Sequence, residues 1–287
     1  MKLTRLGKWK IEVIESGDFK LDGGAMMGSV PKVLWDKTNP SDSLNRIQLA
    51  MRCLLLDDGK NVVLIETGIG DNFSEKFKTM FEISQKKYTL SNTLSDYGYN
   101  LEDITHVVLT HLHFDHAGGA VKRKLNGNME PQFPNAQYYV SSKNWETALN
   151  PSFKDKASYL KENFICLKEY DVLNILPDNT EILPGINTYV VSGHTLGQQL
   201  VIISDKGKKL AFCSDLIPLK SHLRLPWIMG YDLNASLTLE EKKAFLDKAS
   251  NQNWILYFYH DPIVVAVEIK KTDNYYEIIN EYKRRKN

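Results

Sequence analysis

The N-terminal stretch "MKLTRLGKWKIEVIESGDF" alternates apolar and polar side chains, the period of a strand with one buried face. Segments Lys10 to Glu15, Arg46 to Leu56 and Asn61 to Glu66 are rich in Val, Ile and Leu, and "DDGK" between the last two predicts a hairpin turn. The chain therefore opens with antiparallel strands. The spacing then changes: apolar residues recur at helical intervals in "DNFSEKFKTMFEIS", "TLSDYGYNLEDI" reads as a helix ending near Gly98, and "THVVLT" as a short buried strand. Beyond it the pattern predicts a strand over "QYYVS", a helix over "SKNWETALN" stopped by Pro151, and strands over "INTYVVSG", "LVIISD" and "KLAFCSD". A helix follows in "TLEEKKAFLDKAS", with Thr238 and Glu241 as its capping box, and then a strand, "WILYFYHDP", ending at His260. The basic C-terminal run "KRRKN" reads as a solvated helix end.

Strands then helices, twice over, suit two sheets packed face to face with helices outside. No Pro/Gly/Ser-rich linker divides the chain, so residues 1–287 are expected to form a single domain. The 43% hydrophobic and 25% charged content is that of a soluble globular protein. A net charge of +1 offers no global field for nucleic acid or an anionic membrane. The N-terminus lacks the apolar core of a signal peptide and no window approaches a spanning length of about 18 apolar residues, which makes a cytoplasmic protein without membrane association the expectation. The three cysteines, Cys53, Cys166 and Cys213, lie far apart in mostly apolar surroundings and read as buried thiols.

Chemistry concentrates in "THLHFDH", residues 110–116. A lone histidine at a strand end is more often a hydrogen-bonded surface or core group than a ligand. Here His111, His113, Asp115 and His116 crowd together, and without a cation each unpaired polar group buried there would cost about 1–3 kcal/mol. His111 and His113, two apart, point the same way if the strand continues, and a turn beyond them brings Asp115 and His116 to a second ion. The glycines Gly118 and Gly119 relax the backbone after the cluster. Three further ligand types sit at the ends of apolar strands: His194 after "TYVVSG", Asp215 after "KLAFCS" and His260 after "WILYFY".

"HLHFDH" matches the HxHxDH signature, and with "ETGIGD", "GHTLGQ", "FCSDLIP" and "YHDP" the chain resembles the metallo-β-lactamase superfamily from Glu66 to His260. The resemblance implies an α+β fold, a four-layer αβ/βα sandwich of two mixed β-sheets flanked by helices, with the site at one sheet edge. It implies that His111, His113 and His194 bind one divalent ion, that Asp115, His116 and His260 bind the other, and that Asp215 bridges both. Zinc is the expected metal, with Mn, Fe or Co as alternatives. A hydroxide held between the ions then attacks the substrate, with Asp115 handling a proton.

"GAMMGSVPKVLW", "NRIQLAMRCLLL" and the "SDLIP" to "WIMGYD" region most resemble the branch of quorum-quenching N-acyl-homoserine lactone lactonases and methyl parathion hydrolase-like enzymes. This implies a small-molecule lactone or ester substrate, with Met26, Met27, Trp35, Leu225, Trp227 and Met229 as its apolar lining. A phosphotriester or aryl-ester hydrolase is the nearest alternative, and a redox member of the superfamily or a non-catalytic metal-binding module are more distant ones. The chain departs from the lactonases at Pro218, where they carry a catalytic tyrosine, and His222 or Tyr231 is expected to supply that donor. Glu66 replaces the aspartate of the "DTG" motif and is expected to orient a ligand histidine; Leu196 and Gln198 also depart from the family's "HTPG" region. A monomer or homodimer is expected.

Overall fold

A computed structural model describes residues 3–284. The first sheet begins with β1 (Arg5–Leu6) and β2 (Trp9–Asp22), which leads through the short helices α1 (Gly23–Met27) and α2 (Lys32–Trp35) into β3 (Arg46–Asp57) and β4 (Val62–Ile65). The predicted hairpin is present, with Asp57 opposite Val62. Helices α3 (Glu75–Met80) and α4 (Leu90–Asp96) precede β5 (His106–Val108) and the single turn α5 (Phe114–Ala117). A two-stranded ribbon of β6 (Val121–Arg123) and β7 (Met129–Pro131) follows. Then come β8 (Gln137–Ser141), α6 (Ser142–Leu149), α7 (Ile165–Glu169) and β9 (Leu173–Leu176). Sheet order is β1-β2-β3-β4-β5-β8-β9, antiparallel as far as β4 and parallel beyond it.

The second sheet holds β10 (Glu181–Leu183), β11 (Ile186–Val191), β12 (Gln198–Asp205) and β13 (Lys208–Phe212). After helix α8 (Ala235–Asn251), β14 (Ile255–Tyr257), β15 (Val264–Lys271) and β16 (Tyr276–Lys283) complete it in chain order. Strand alternation assigns the two faces. Val201, Ile203 and Phe212 join Met51, Leu55 and Leu64 of the first sheet in the core between the sheets. Leu200, Ile202 and Ala211, one residue out of phase, pack instead against Phe245, Leu246 and Ala249 of α8. On the other side α4 lies on β2, and α6 on β8 and β9. The architecture is the expected four-layer sandwich of two mixed sheets.

Three local expectations change. Helix α8 starts earlier than its pattern suggested, because Asn234 caps it by accepting from the Leu237 amide. Glu241, expected in a capping box with Thr238, instead accepts from the Ser192 and Gly193 amides at 2.8 and 2.9 Å. The C-terminal run is not a helix end: Lys283 closes β16, Arg284 pairs with Glu15 and Asp18, and residues 285–287 lie outside the described part. Gly118 is helical in its backbone, with φ −60°, so its smallness and not its freedom matters. A Cβ there would stand 2.1 Å from the Ile69 carbonyl oxygen, and one on Gly119 2.2 Å from that of Thr67. This close approach seats the ligand loop on the segment after β4.

Candidate metal centre

β11, β13 and β14 run in the same direction, so the residues that follow them share one rim. His194, Asp215 and His260 lie just beyond those strand ends. From the first sheet, β5 ends at Val108, and the extended residues after it carry His111 and His113 before α5 turns Asp115 and His116 inward. The strand does not continue through the two histidines as expected. They converge through different ring atoms, His111 Nε2 lying 3.1 Å from His113 Nδ1.

Three groups bring their ligand-type atoms within 4.8 Å of one another: the triads His111, His113 and His194, and Asp115, His116 and His260, and a third of Glu66 with His111 and His116. Asp215 stands between the first two. Its Oδ2 is 3.3 Å from His194 Nε2 and 3.9 Å from His111 Nε2, while its Oδ1 is 3.2 Å from His260 Nε2 and 3.5 Å from His116 Nε2. All seven side chains are buried. His116 Nε2 and Asp215 Oδ1 are enclosed without a hydrogen-bond partner. Buried orphan atoms of this kind, set among imidazoles and carboxylates, fit divalent cations better than they fit a packed core.

The far side of most imidazoles is engaged, which fixes the ring that faces the site. His111 Nδ1 meets Thr110 Oγ1 at 3.0 Å, His116 Nδ1 meets Glu66 at 3.2 Å, His194 Nδ1 meets Asp232 at 3.0 Å, and His260 Nδ1 meets the Ala50 carbonyl at 2.9 Å. Glu66 also accepts from the Thr110 hydroxyl, and it holds a left-handed backbone (φ 66°) directly after β4. Tyr259 donates to the Asp115 carbonyl at 2.5 Å and stacks on His116. Asp232 and Tyr259 carried no role in the sequence pattern, and Glu241 only that of a helix cap. Asp232 sits in an irregular segment 38 residues from its histidine, where no periodicity marks it.

Burial, with neighbouring imidazoles adding to it, pushes His111 and His113 well below the ordinary imidazole range and keeps their lone pairs free. At His116 burial opposes the charge, but the Asp215, Asp115 and Glu66 carboxylates outweigh it and raise the pKa. Burial likewise opposes ionisation of Asp215, and His116 and His260 outweigh it to hold the carboxyl low.

A cavity of about 240 Å³ opens over His113, Asp115, His194, Asp215 and His260. Leu21, Met26, Phe81, Phe114 and Met229 form its apolar wall, and Tyr231 borders it. Burial, reinforced by the charges of Asp22 and Asp115, pushes the Tyr231 phenol up to about 12. His222, the other expected donor, does not line this cavity: it is buried, with Nε2 2.9 Å from the Met26 carbonyl, and supports α1 from beneath. Of the expected apolar lining, Met26 and Met229 are in place, whereas Met27 and Trp35 pack in the core and Leu225 and Trp227 border a different cavity. Pro218 lends its carbonyl to the His260 amide at 3.2 Å.

Residues 52–260 match the metallo-beta-lactamase superfamily, and the chain belongs to it as a metal-dependent hydrolase. It is 26% identical over 227 residues to the N-acyl homoserine lactonase of Bacillus thuringiensis, covering 75% of this chain and 82% of that relative. A crystal structure of a probable metal-dependent hydrolase from Staphylococcus aureus is 28% identical, with a TM-score of 0.90 over 98% of this chain and 99% of the other. AidC, a dizinc quorum-quenching lactonase solved in complex with a product, is 21% identical, with a TM-score of 0.79 over 98% of this chain and 97% of its own.

Proposed function

We propose that this hydrolase opens lactone rings of the N-acyl-homoserine lactone type, or cleaves closely related esters. The carrying observation is the cavity itself, which brings five of the seven candidate ligands, an apolar wall and one protonated phenol to the same space. The two triads, one of three histidines and one of Asp115 with two histidines, would with Asp215 between them hold two divalent ions, zinc first among Mn, Fe and Co. Such ions supply Lewis acidity and lower the pKa of water toward neutrality.

The chain's own residues do the rest. Asp115 presents its carboxylate to the cavity and is the group placed to take up or return a proton. Tyr231 stays protonated through neutral pH and donates to an oxygen of the substrate, the part that the related lactonases give to a tyrosine at the position of Pro218. Leu21, Met26, Phe81 and Phe114 receive an acyl chain and keep bulk water from it. Lactone and N-acyl homoserine lactonase relatives favour this substrate class over phosphotriesters.

The test is a panel of acyl-homoserine lactones of graded chain length beside aryl esters and a paraoxon-type phosphotriester, assayed on protein loaded with defined metals. Lactones should lead in kcat/KM by at least about ten-fold, equivalent to roughly 1.4 kcal/mol of transition-state preference. Faster turnover of the phosphotriester would replace this reading with the phosphotriesterase one. Tyr231→Phe should lower kcat by about 10- to 100-fold at nearly constant KM, as expected for a donor used mainly in the transition state.

A further inference from the structure

We propose that Lys154 makes the cavity selective for substrates that carry a carboxylate away from the scissile bond. The inference rests on the reading of the protein as a metal-dependent ester or lactone hydrolase, and it names a substrate feature that this reading leaves open.

One wall of the cavity is the segment after α6, through Lys154, Asp155, Ala157 and Ser158. Lys154 is the one lysine or arginine in that lining. Its ammonium donates to the Asp232 carbonyl, and among the described residues no carboxylate lies within ion-pairing distance of it. An ammonium has three N–H groups, so two remain for a ligand.

The nearby carboxylates are committed elsewhere. Asp155 accepts from Ser152 Oγ at 2.7 Å and from Thr195 Oγ1 at 3.4 Å. Asp232 spends one carboxylate oxygen on His194 Nδ1 and the other on the Met229 amide at 3.1 Å. Lys220, in the neighbouring cavity, is by contrast neutralised by Glu281 at 3.2 Å. The run from His194 through Asp232 to Lys154 sets an ammonium without a carboxylate partner in the same lining as His194 and Asp215. A single ammonium, with no other lysine or arginine in the lining, suits a monoanion, which favours a carboxylate over a phosphate dianion at that end of the cavity.

The probe pair is the 4-nitrophenyl half-ester of adipic acid and its terminal amide, which share leaving group and length and differ in charge. Wild-type protein should prefer the carboxylate by about ten-fold in kcat/KM, the scale of a charge-assisted hydrogen bond. The preference should shrink between low and high salt. Lys154→Met should bring the ratio of the two kcat/KM values near one, whatever its effect on absolute turnover, and Lys154→Arg should keep the preference. An equal loss on both substrates would mean that Lys154 only anchors its loop, and would overturn the proposal. So would a wild-type ratio near one.

A second readout needs no turnover. In metal-free protein, acetylation of Lys154 mapped by peptide mass spectrometry should be slowed by adipate monoamide and not by adipamide, and equal labelling would count against the proposal. Absence of any ester or lactone turnover by wild type would sink the hydrolase reading itself. Turnover without charge preference would sink only the role of Lys154.

Discussion

A single carboxylate, Asp232, shows how much of this site depends on residues that touch no reacting atom. One oxygen fixes the His194 ring, the other holds the Met229 amide in the cavity wall, and its carbonyl receives Lys154. Asp232→Asn keeps the shape but turns one acceptor oxygen into a donor facing His194 Nδ1, which disfavours the tautomer that leaves Nε2 free. Metal affinity, measured by competition with a chromogenic chelator, should fall about 10- to 100-fold while the far-ultraviolet circular dichroism stays unchanged. Unaltered affinity would show that the ring is held by packing alone. The metal-ligating residue types were readable in the chain because they cluster in "HLHFDH" or terminate long apolar strands. Asp232 was not, since its partner is set by a loop path that leaves no pattern in side-chain polarity.

Among elements, α8 is the one whose reading changed most, and its buried side chains explain why. Its polar residues face inward to do structural work: Glu241 clamps the backbone just before His194, and Lys242 Nζ donates to the Trp227 carbonyl at 2.5 Å and the Arg224 carbonyl at 3.2 Å. The Thr238 to Glu241 spacing matches a capping box, which is how that role came to be expected, but Asn234 starts the helix a turn earlier. Burial lowers the Lys242 pKa to about 7, with Asp232 opposing the shift. The unfolded chain holds that proton up to about pH 10.5, so between these values the unfolded state binds more protons and stability rises with pH. Lys242→Met should therefore flatten the stability curve between pH 7 and 10, followed by urea midpoints. An unchanged slope would show that the two carbonyls keep the ammonium charged. The strands β15 and β16 went unnoticed: β16 interleaves charged side chains, as suits the outer edge of a sheet, and Lys270 and Lys271 close the apolar run of β15.

For the whole molecule, the fold followed from alternation of strand and helix patterns, while the route by which the sheets are joined did not. Arg52, fully buried on β3, pairs with Glu15 at 2.9 Å and reaches the Asp261 carbonyl at 2.7 Å, tying the first sheet to the loop behind His260. The candidate metal centre is the other tie, because its ligand-type side chains come from both sheets. Removing the ions by chelation should lower the calorimetric melting temperature by about 5–10 °C, since ligand at a hundred times Kd adds about 2.7 kcal/mol to the folded state and each kcal/mol is worth about 2–4 °C at this size. A melting temperature indifferent to the chelator would mean that no ion is bound. The ligand set also has a timetable. Its candidate members extend from His111 to His260, so during synthesis the first triad waits for His194, at position 194 of 287, and the second waits for His260. A nascent chain thereby presents the two candidate groups one after the other, and the full pair only once His260 has been made.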